Sequence, residues 1–259
     1  MSSDTAADTP ADTAVALRFV LAHGFTQTAR SWGVLERLIH ARVPIAETVA
    51  VDLPGHGDAP PPADCDLWAS AMLLTNAGGA ATYVGYSMGG RVALHAALTR
   101  PDAVQRLILI GATAGIDDPD ERQSRRDADE QLADHIEAIG VPRFVDEWLT
   151  NQLFRGLTEA TALRADRLRN TATGLASSLR ATGTGTQTPL WNRLAEIQCP
   201  TLVLVGQHDA KFTELGQRLV DGIAGAELVV VPDAGHSVHL EQPDATADAI
   251  VTWVTSSER

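Results

Sequence analysis

The sequence predicts an α/β protein with one mostly parallel sheet, helices on both faces of the sheet and a helical lid insertion. Short apolar runs alternate with helix-period segments at both ends of the 259-residue chain, and this alternation favours parallel strands joined by right-handed crossovers. From residue 118 to about 193 only helix-period segments occur. The core is therefore assigned residues 15–114 and 196–259, and the lid residues 115–195.

The individual elements follow from hydrophobic patterning. The predicted strands, all short apolar runs, are 17–22, 48–52, 81–84, 107–110, 201–205 and 227–231. Core helices are predicted at 31–41, 67–76, 90–98 and 244–255, and lid helices at 120–139, 142–154, 158–170 and 174–182. Residues 1–14 are small, polar and acidic, which predicts a disordered tail.

Composition restricts the partners and the location of the chain. A net charge of −13 argues against nucleic acid or an anionic membrane as a partner, and no apolar run is long enough to span a bilayer. The first residues lack the pattern of a signal peptide, and Cys65 and Cys199 lack metal-ligand spacing. We therefore expect a cytoplasmic protein without metal or cofactor, while its oligomeric state stays open.

The segment Gly85-Tyr86-Ser87-Met88-Gly89 lies between a predicted strand and a predicted helix. In a G-x-S-x-G elbow, the serine sits on a strained turn with its hydroxyl clear of the sheet. Glycine at both ends avoids collision with neighbouring backbone. The turn also brings the serine to a helix N-terminus, where free N–H groups favour negative charge. We interpret Ser87 as a nucleophile or general base.

Ser87 needs a partner to take its proton. His236 follows the last predicted strand, and Asp209 follows the strand before it, where a carboxylate fixes the imidazole tautomer. Their order along the chain, Ser87, Asp209, His236, is typical of an elbow serine and its two partners. Any single histidine among the eight in the chain is more often structural. Three such residues after three strands, where ligands of open α/β sheets bind, indicate a catalytic set.

Two further features belong to this predicted site. An oxyanion hole needs two N–H groups, and we assign them to Met88, after the serine, and to Phe25, after the first strand. Arg91 lies one turn into the elbow helix, where a charge is costly unless it is paired or faces a pocket. We therefore assign Arg91 to ligand contact. The lid carries 10 arginines and 13 acidic residues, a net charge of −3, whereas the rest of the chain has a net charge of −10. The lid therefore repels an anionic ligand less than the rest of the chain does.

Several segments resemble one family within the α/β-hydrolase fold, the 2-succinyl-6-hydroxy-2,4-cyclohexadiene-1-carboxylate synthases of menaquinone biosynthesis. The resemblance covers residues 20–243. Its specific segments are Tyr86-Ser87-Met88-Gly89-Gly90-Arg91, Arg169-Asn170 with Gly174-Leu175-Ala176, Gly183-Thr184-Gly185-Thr186-Gln187 with Leu190-Trp191, Asp209-Ala210-Lys211-Phe212 and Ala234-Gly235-His236-Ser237-Val238-His239. The His23-Gly24-Phe25 and Asp52-Leu53-Pro54-Gly55-His56-Gly57 segments occur throughout the fold and are unspecific.

The resemblance implies a lyase that eliminates pyruvate from 2-succinyl-5-enolpyruvyl-6-hydroxy-3-cyclohexene-1-carboxylate, with Ser87 abstracting a ring proton. It implies that this small anionic substrate is held by the side chains of Tyr86, Arg91, Arg125, Arg169, Trp148 and Phe154. Arg122 and Arg126 stay open as alternatives to Arg125, because one residue along a helix is a large rotation.

Two other functions fit the same residues. A serine esterase or C–C bond hydrolase would use the same three residues to form an acyl-enzyme, and fold alone does not separate it from the lyase. Arg91 and the arginine-bearing lid favour the lyase, because an apolar ester needs no carboxylate clamp. A small-molecule receptor on this fold is the second alternative, and the complete set of Ser87, Asp209 and His236 argues against it.

Overall fold

The structure is a computed structural model that describes residues 17–61 and 65–256. Its six-stranded sheet has the order β2-β1-β3-β4-β5-β6, and each neighbouring pair is parallel. The strands are β1 Arg18–Ala22, β2 Glu47–Val51, β3 Ala81–Tyr86, β4 Val104–Ile110, β5 Thr201–Gly206 and β6 Glu227–Val231. All six predicted strands are present, which confirms the predicted parallel α/β fold. The predicted tail, residues 1–14, lies outside the described residues.

Ten α-helices occur in the described residues. They are α1 Gly33–Arg42, α2 Leu67–Gly78, α3 Met88–Thr99, α4 Pro119–Ile139, α5 Val141–Trp148, α6 Arg164–Arg167, α7 Ala172–Thr182, α8 Ala210–Gly222, α9 Val238–Glu241 and α10 Pro243–Ser256. No helix in ranges 17–61 and 65–256 is both long and apolar enough to cross a membrane.

Three sequence predictions differ from the observed helices. The predicted helix 142–154 ends at Trp148, and a separate 3-10 helix, Gln152–Phe154, follows it. Of the predicted helix 158–170, only Arg164–Arg167 is helical, because Leu163 takes a left-handed conformation with φ +52° and ends any helix before it. Helix α8 was not predicted, although Phe212, Leu215 and Leu219 recur at helical spacing. Gly216 lies among these apolar residues, and its lack of a side chain lets α8 pack closely on Val205 of β5.

Apolar layers cover both faces of the sheet, and the central strands contribute to both. In β4, Leu107 and Leu109 face one layer, whereas Ile108 and Ile110 face the other. All four are fully buried. Because both faces are covered, the buried parts of the central strands are mainly apolar and do not alternate with polar residues. The polar groups of the site are therefore left to the loops at the carboxyl ends of the strands.

Residues 115–195, the predicted lid, contain helices and no strand. Helices α4, α5 and α7 share an apolar cluster of their own that includes Ile136, Val145 and Leu175. Asn170 ties the lid to the core, since its Nδ2 donates to Thr26 O at 2.6 Å and its Oδ1 accepts from Gly57 N at 2.9 Å. The lid is thus bound to the loops after β1 and β2, next to the site.

Candidate active site

Ser87 occupies the strained turn that the elbow motif predicts. Its φ of +50° and ψ of −106° are unusual for a residue with a side chain, and it directly precedes α3. Close backbone packing enforces the turn. A Cβ atom on Gly85 would lie 2.4 Å from Gly89 O, and one on Gly89 would lie 2.0 Å from Ala22 O. Glycine at both positions lets β3, α3 and β1 converge on the serine.

The structure brings Ser87, His236 and Asp209 together at the carboxyl ends of three strands. His236 Nε2 lies 3.3 Å from Ser87 Oγ, and His236 Nδ1 lies 2.8 Å from Asp209 Oδ2. The imidazole is 2% exposed. In the tautomer that satisfies both bonds, Nδ1–H donates to the carboxylate and Nε2 accepts the serine proton. This arrangement is chemically able to activate the serine hydroxyl.

The loop carrying His236 is fixed by a side chain that the sequence analysis missed. Glu241 accepts from Gly235 N at 2.7 Å and from Ser237 N at 2.9 Å. Ser237 Oγ in turn bonds the Tyr86 hydroxyl at 2.8 Å. The Tyr86 ring lies 5.3 Å from the His236 ring, and burial raises the pKa of its hydroxyl, so Tyr86 stays a neutral neighbour of the imidazole.

A cavity of about 200 Å³ opens over Ser87, between the core and the lid. Phe25 and Met88, the predicted oxyanion residues, both line it. A small extension of about 40 Å³ reaches Tyr86, Trp148 and Phe154. The Trp148 ring packs 5.5 Å from Phe25 and 5.7 Å from Phe154. The two aromatic residues that the resemblance assigned to the site therefore lie beside Ser87.

Two of the predicted arginines line this cavity. Arg91 is 7% exposed, and its Nη1 donates to Thr182 O at 2.6 Å. Burial, and to a lesser extent the charge of Arg125, lowers the pKa of Arg91 to about 10. Arg125 lies on α4 with its Nε bonded to Asp129 at 2.7 Å. The cavity thus has two cationic side chains and Ser87 in its lining.

The three neighbouring arginines of α4 make different contacts. Arg122 turns back to the carbonyl groups of Ile116 and Asp117, and Arg126 bonds the carbonyl of Gly185. Of the three, only Arg125 lines the cavity over Ser87. Arg126 is rotated by about 100° from Arg125 around the helix axis. Arg122 lies one turn before Arg125 on the same side of the helix, and its bonds to the preceding loop turn its guanidinium group away.

The predicted orientation of Arg169 is corrected by the structure. Its Nη2 lies 3.4 Å from the exposed carboxylate of Asp58, and Arg169 does not line the cavity or its extension. Arg167, which the sequence analysis missed, lies there instead and is 1% exposed. The reason is local: Arg167 ends the short helix α6 and is buried, whereas Arg169 follows two residues later, about half a turn around, and its partly exposed side chain reaches Asp58.

Arg167 is held by contacts that leave part of its guanidinium group unpaired. Its Nε donates to Ala162 O at 2.8 Å, its Nη1 donates to Thr26 Oγ1, and the group lies 5.6 Å from the Phe154 ring. Among the residues that the structure describes, its buried Nη2 has no hydrogen-bond partner. Burial lowers the pKa of this arginine. A buried donor without a partner is costly, so Arg167 favours an acceptor group at this end of the cavity.

Within residues 17–61 and 65–256, no group of three or more His, Cys, Asp or Glu side chains is arranged to hold a metal ion. The site consists of hydrogen-bonding, cationic and aromatic side chains.

A family model described as the alpha/beta hydrolase family matches residues 19–249. A Serratia proteamaculans protein named 2-succinyl-6-hydroxy-2,4-cyclohexadiene-1-carboxylate synthase is 33% identical to the chain, covering 87% of the chain and 88% of the relative. The chain belongs to the alpha/beta hydrolase family and, within it, to the group of these synthases.

Solved structures agree with this assignment. MenH from S. aureus superposes with a TM-score of 0.86 at 27% identity, over 96% of this chain and 97% of that one. An esterase from Thermogutta terrifontis, solved with malate bound, gives a TM-score of 0.79 at 26% identity, over 93% and 90% of the two chains. The fold is therefore shared by MenH and by an esterase, so the fold alone does not identify the reaction.

Proposed function

We propose that this protein is the lyase of menaquinone biosynthesis that eliminates pyruvate from 2-succinyl-5-enolpyruvyl-6-hydroxy-3-cyclohexene-1-carboxylate to form 2-succinyl-6-hydroxy-2,4-cyclohexadiene-1-carboxylate. The observation that carries the proposal is the pair of arginines, Arg91 and Arg125, in the same cavity as Ser87. Guanidinium groups suit carboxylates because they donate two parallel hydrogen bonds. The names of the relatives support the same reaction.

In the proposed mechanism, the serine acts as a base and no acyl-enzyme forms. His236 takes the proton of Ser87 while Asp209 stabilises the imidazolium. The serine oxygen removes a ring proton, and the electrons of that C–H bond form the new ring double bond. The C–O bond to the enolpyruvyl group breaks, and the leaving enolate takes up the proton of the imidazolium to become pyruvate, which returns His236 to its neutral form. The N–H groups of Phe25 and Met88 stabilise the oxyanion that develops.

The remaining residues bind and orient. Arg91, Arg125 and Arg167 hold carboxylates, and Trp148 and Phe154 cover the ring and exclude water. Tyr86 supports the imidazole from the core side. Bound this way, the substrate is desolvated by the lid, which strengthens every charge–charge contact within the cavity. We place this reaction in the cytoplasm, and the free thiols of Cys65 and Cys199 support that location.

The test is to mix the protein with the enolpyruvyl precursor and follow pyruvate with a coupled lactate dehydrogenase assay. Stoichiometric pyruvate release supports the proposal. Hydrolysis of neutral esters without pyruvate release would favour the esterase, whose fold is equally compatible. A receptor without catalytic activity is tested separately, because a fluorophosphonate labels Ser87 only if the serine is activated.

A further inference from the structure

A buried carboxylate in the lid connects two arginines of the cavity, Arg125 in the lid and Arg91 in the core. Asp129, in α4, is 3% exposed. Its Oδ1 accepts from Arg125 Nε at 2.7 Å, and its Oδ2 accepts from Gly185 N at 3.3 Å. A carboxylate buried to this degree is costly unless it is paired, and both of its oxygens are engaged.

The second of these contacts reaches Arg91 through the backbone. Gly185 N is held by Asp129, and three residues earlier the carbonyl of Thr182 accepts from Arg91 Nη1 at 2.6 Å. The segment between them approaches Asp129 closely. A Cβ on Gly183 would lie 2.5 Å from Asp129 Oδ2, so only glycine allows this approach. Asp129 therefore fixes the segment that supports Arg91.

The charges of Arg91, Arg125 and Asp129 support the same role for Asp129. Arg91 and Arg125 line one cavity, and their like charges repel. The negative charge of Asp129 opposes this repulsion and favours the charged form of Arg91. The terminal nitrogens of Arg125 have no hydrogen-bond partner within residues 17–61 and 65–256. Asp129 thus binds Arg125 by Nε alone and leaves its terminal nitrogens available.

We propose that Asp129 is a positioning residue for carboxylate recognition: it holds the guanidinium group of Arg125 directly and that of Arg91 through the 182–185 segment, so that both face the substrate. This inference rests on the proposed function. It predicts that Asp129 acts on substrate binding and leaves the serine chemistry intact.

The test compares Asp129→Asn with wild type in the pyruvate-release assay. An asparagine has one acceptor oxygen where Asp129 has two, so either Arg125 or Gly185 loses its partner. We expect KM for the enolpyruvyl precursor to rise about tenfold and kcat to change by less than about twofold. The rate at which a neutral fluorophosphonate labels Ser87 should be unchanged.

The matched control is Asp134→Asn, on the same helix. The carboxylate of Asp134 pairs with Arg180 at the surface, so KM of this variant should stay at the wild-type value.

A double-mutant cycle with Arg125→Ala separates positioning from general lid stability. If Asp129 acts through Arg125, Asp129→Asn raises KM by a smaller factor in the Arg125→Ala background than in wild type. An unchanged KM in Asp129→Asn, equal factors in both backgrounds, or a parallel fall in kcat and Ser87 labelling would each overturn the inference. If the wild-type protein releases no pyruvate, the proposed function itself is rejected. The proposed role of Asp129 in that reaction is then rejected as well.

Discussion

Glu241 fixes the backbone on both sides of His236, accepting from the N–H of the preceding residue at 2.7 Å and from that of the following residue at 2.9 Å. Both bonds need a carboxylate, because an amide offers one acceptor oxygen and a competing donor. His236 must keep its ring within reach of Ser87 and Asp209 at once. Its geometry therefore depends on a residue five positions along the chain.

Glu241→Gln should lower kcat and leave KM nearly unchanged. One buried N–H loses its acceptor, which costs about 1–3 kcal/mol, and the imidazole shifts away from Ser87. We expect kcat for pyruvate release to fall about tenfold or more. Asp244→Asn is the control, since that carboxylate is exposed and pairs with Arg42 at the surface. Equal kcat values for the two variants would contradict the role of Glu241.

Ser87→Ala, His236→Ala and Asp209→Asn should each reduce pyruvate release by orders of magnitude, and the losses should not add, because the three residues act as one unit. The measurement is kcat for the single variants and for the Ser87→Ala, His236→Ala double variant. Near-wild-type turnover of Ser87→Ala would reject the mechanism.

Arg91→Ala should weaken the anionic substrate far more than a neutral ester of similar size. A hydrogen bond to a charged group contributes about 1.5–3 kcal/mol, which corresponds to roughly ten- to a hundredfold in kcat/KM. Arg91→Lys should recover only part of this loss, because an ammonium keeps the charge but loses the planar fork. Full recovery with lysine would show that charge alone is recognised.

Arg167 and Arg169 form a matched pair for testing the corrected site. Arg167→Ala removes a buried cation beside Ser87 and should lower kcat/KM about ten- to a hundredfold. Arg169→Ala removes an arginine whose ion pair with Asp58 is largely exposed, and such pairs contribute only about 0–1 kcal/mol. Its kcat/KM should stay within about threefold of wild type. A larger fall in kcat/KM for Arg169→Ala than for Arg167→Ala would show that Arg169, and not Arg167, belongs to the site.

These two arginines also show where sequence patterning stops being informative. The parallel sheet and the positions of Ser87, Asp209 and His236 could be predicted, because short apolar strands and the elbow motif impose local rules. The orientation of Arg167 could not be predicted, since it depends on the left-handed turn at Leu163 and on docking of the lid against the core. The buried pairing of Arg167 with Thr26, 141 residues away along the chain, leaves no local pattern.

The pair of contacts made by Glu241 was missed for a related reason. A glutamate near a helix end normally indicates solvent exposure, and nothing in its spacing from His236 shows that both oxygens turn back to the loop. The Asp129 contacts are similar, since an aspartate four residues after Arg125 fits an ordinary surface pair. Burial decides the difference, and burial here results from packing of α4 on the 182–185 segment.

The last prediction concerns the acid side of the stability profile. His95, in α3, is 1% exposed, its Nδ1–H donates to Arg91 O at 2.7 Å, and its ring packs edge-on against Trp68. Burial lowers the pKa of His95 from 6.5 to about 4. Between these two values the unfolded chain binds a proton that the folded protein does not. Stability must therefore rise with pH across this window and fall on acidification.

The size of this effect can be measured with a variant that keeps the hydrogen bond. His95→Gln retains a donor but does not titrate. At pH 5, about 1.5 units below the unfolded pKa, the histidine costs roughly 2 kcal/mol of unfolding free energy. Urea unfolding at pH 7 and pH 5 should therefore show a loss on acidification that is roughly 2 kcal/mol smaller in the variant. His40→Gln serves as the control, because it removes an exposed histidine. The other buried histidines, His23, His56, His236 and His239, are present in both proteins, so any contribution they make cancels from the difference. An equal acid sensitivity of His95→Gln and wild type would show that His95 is hydrated enough in the fold to take up its proton.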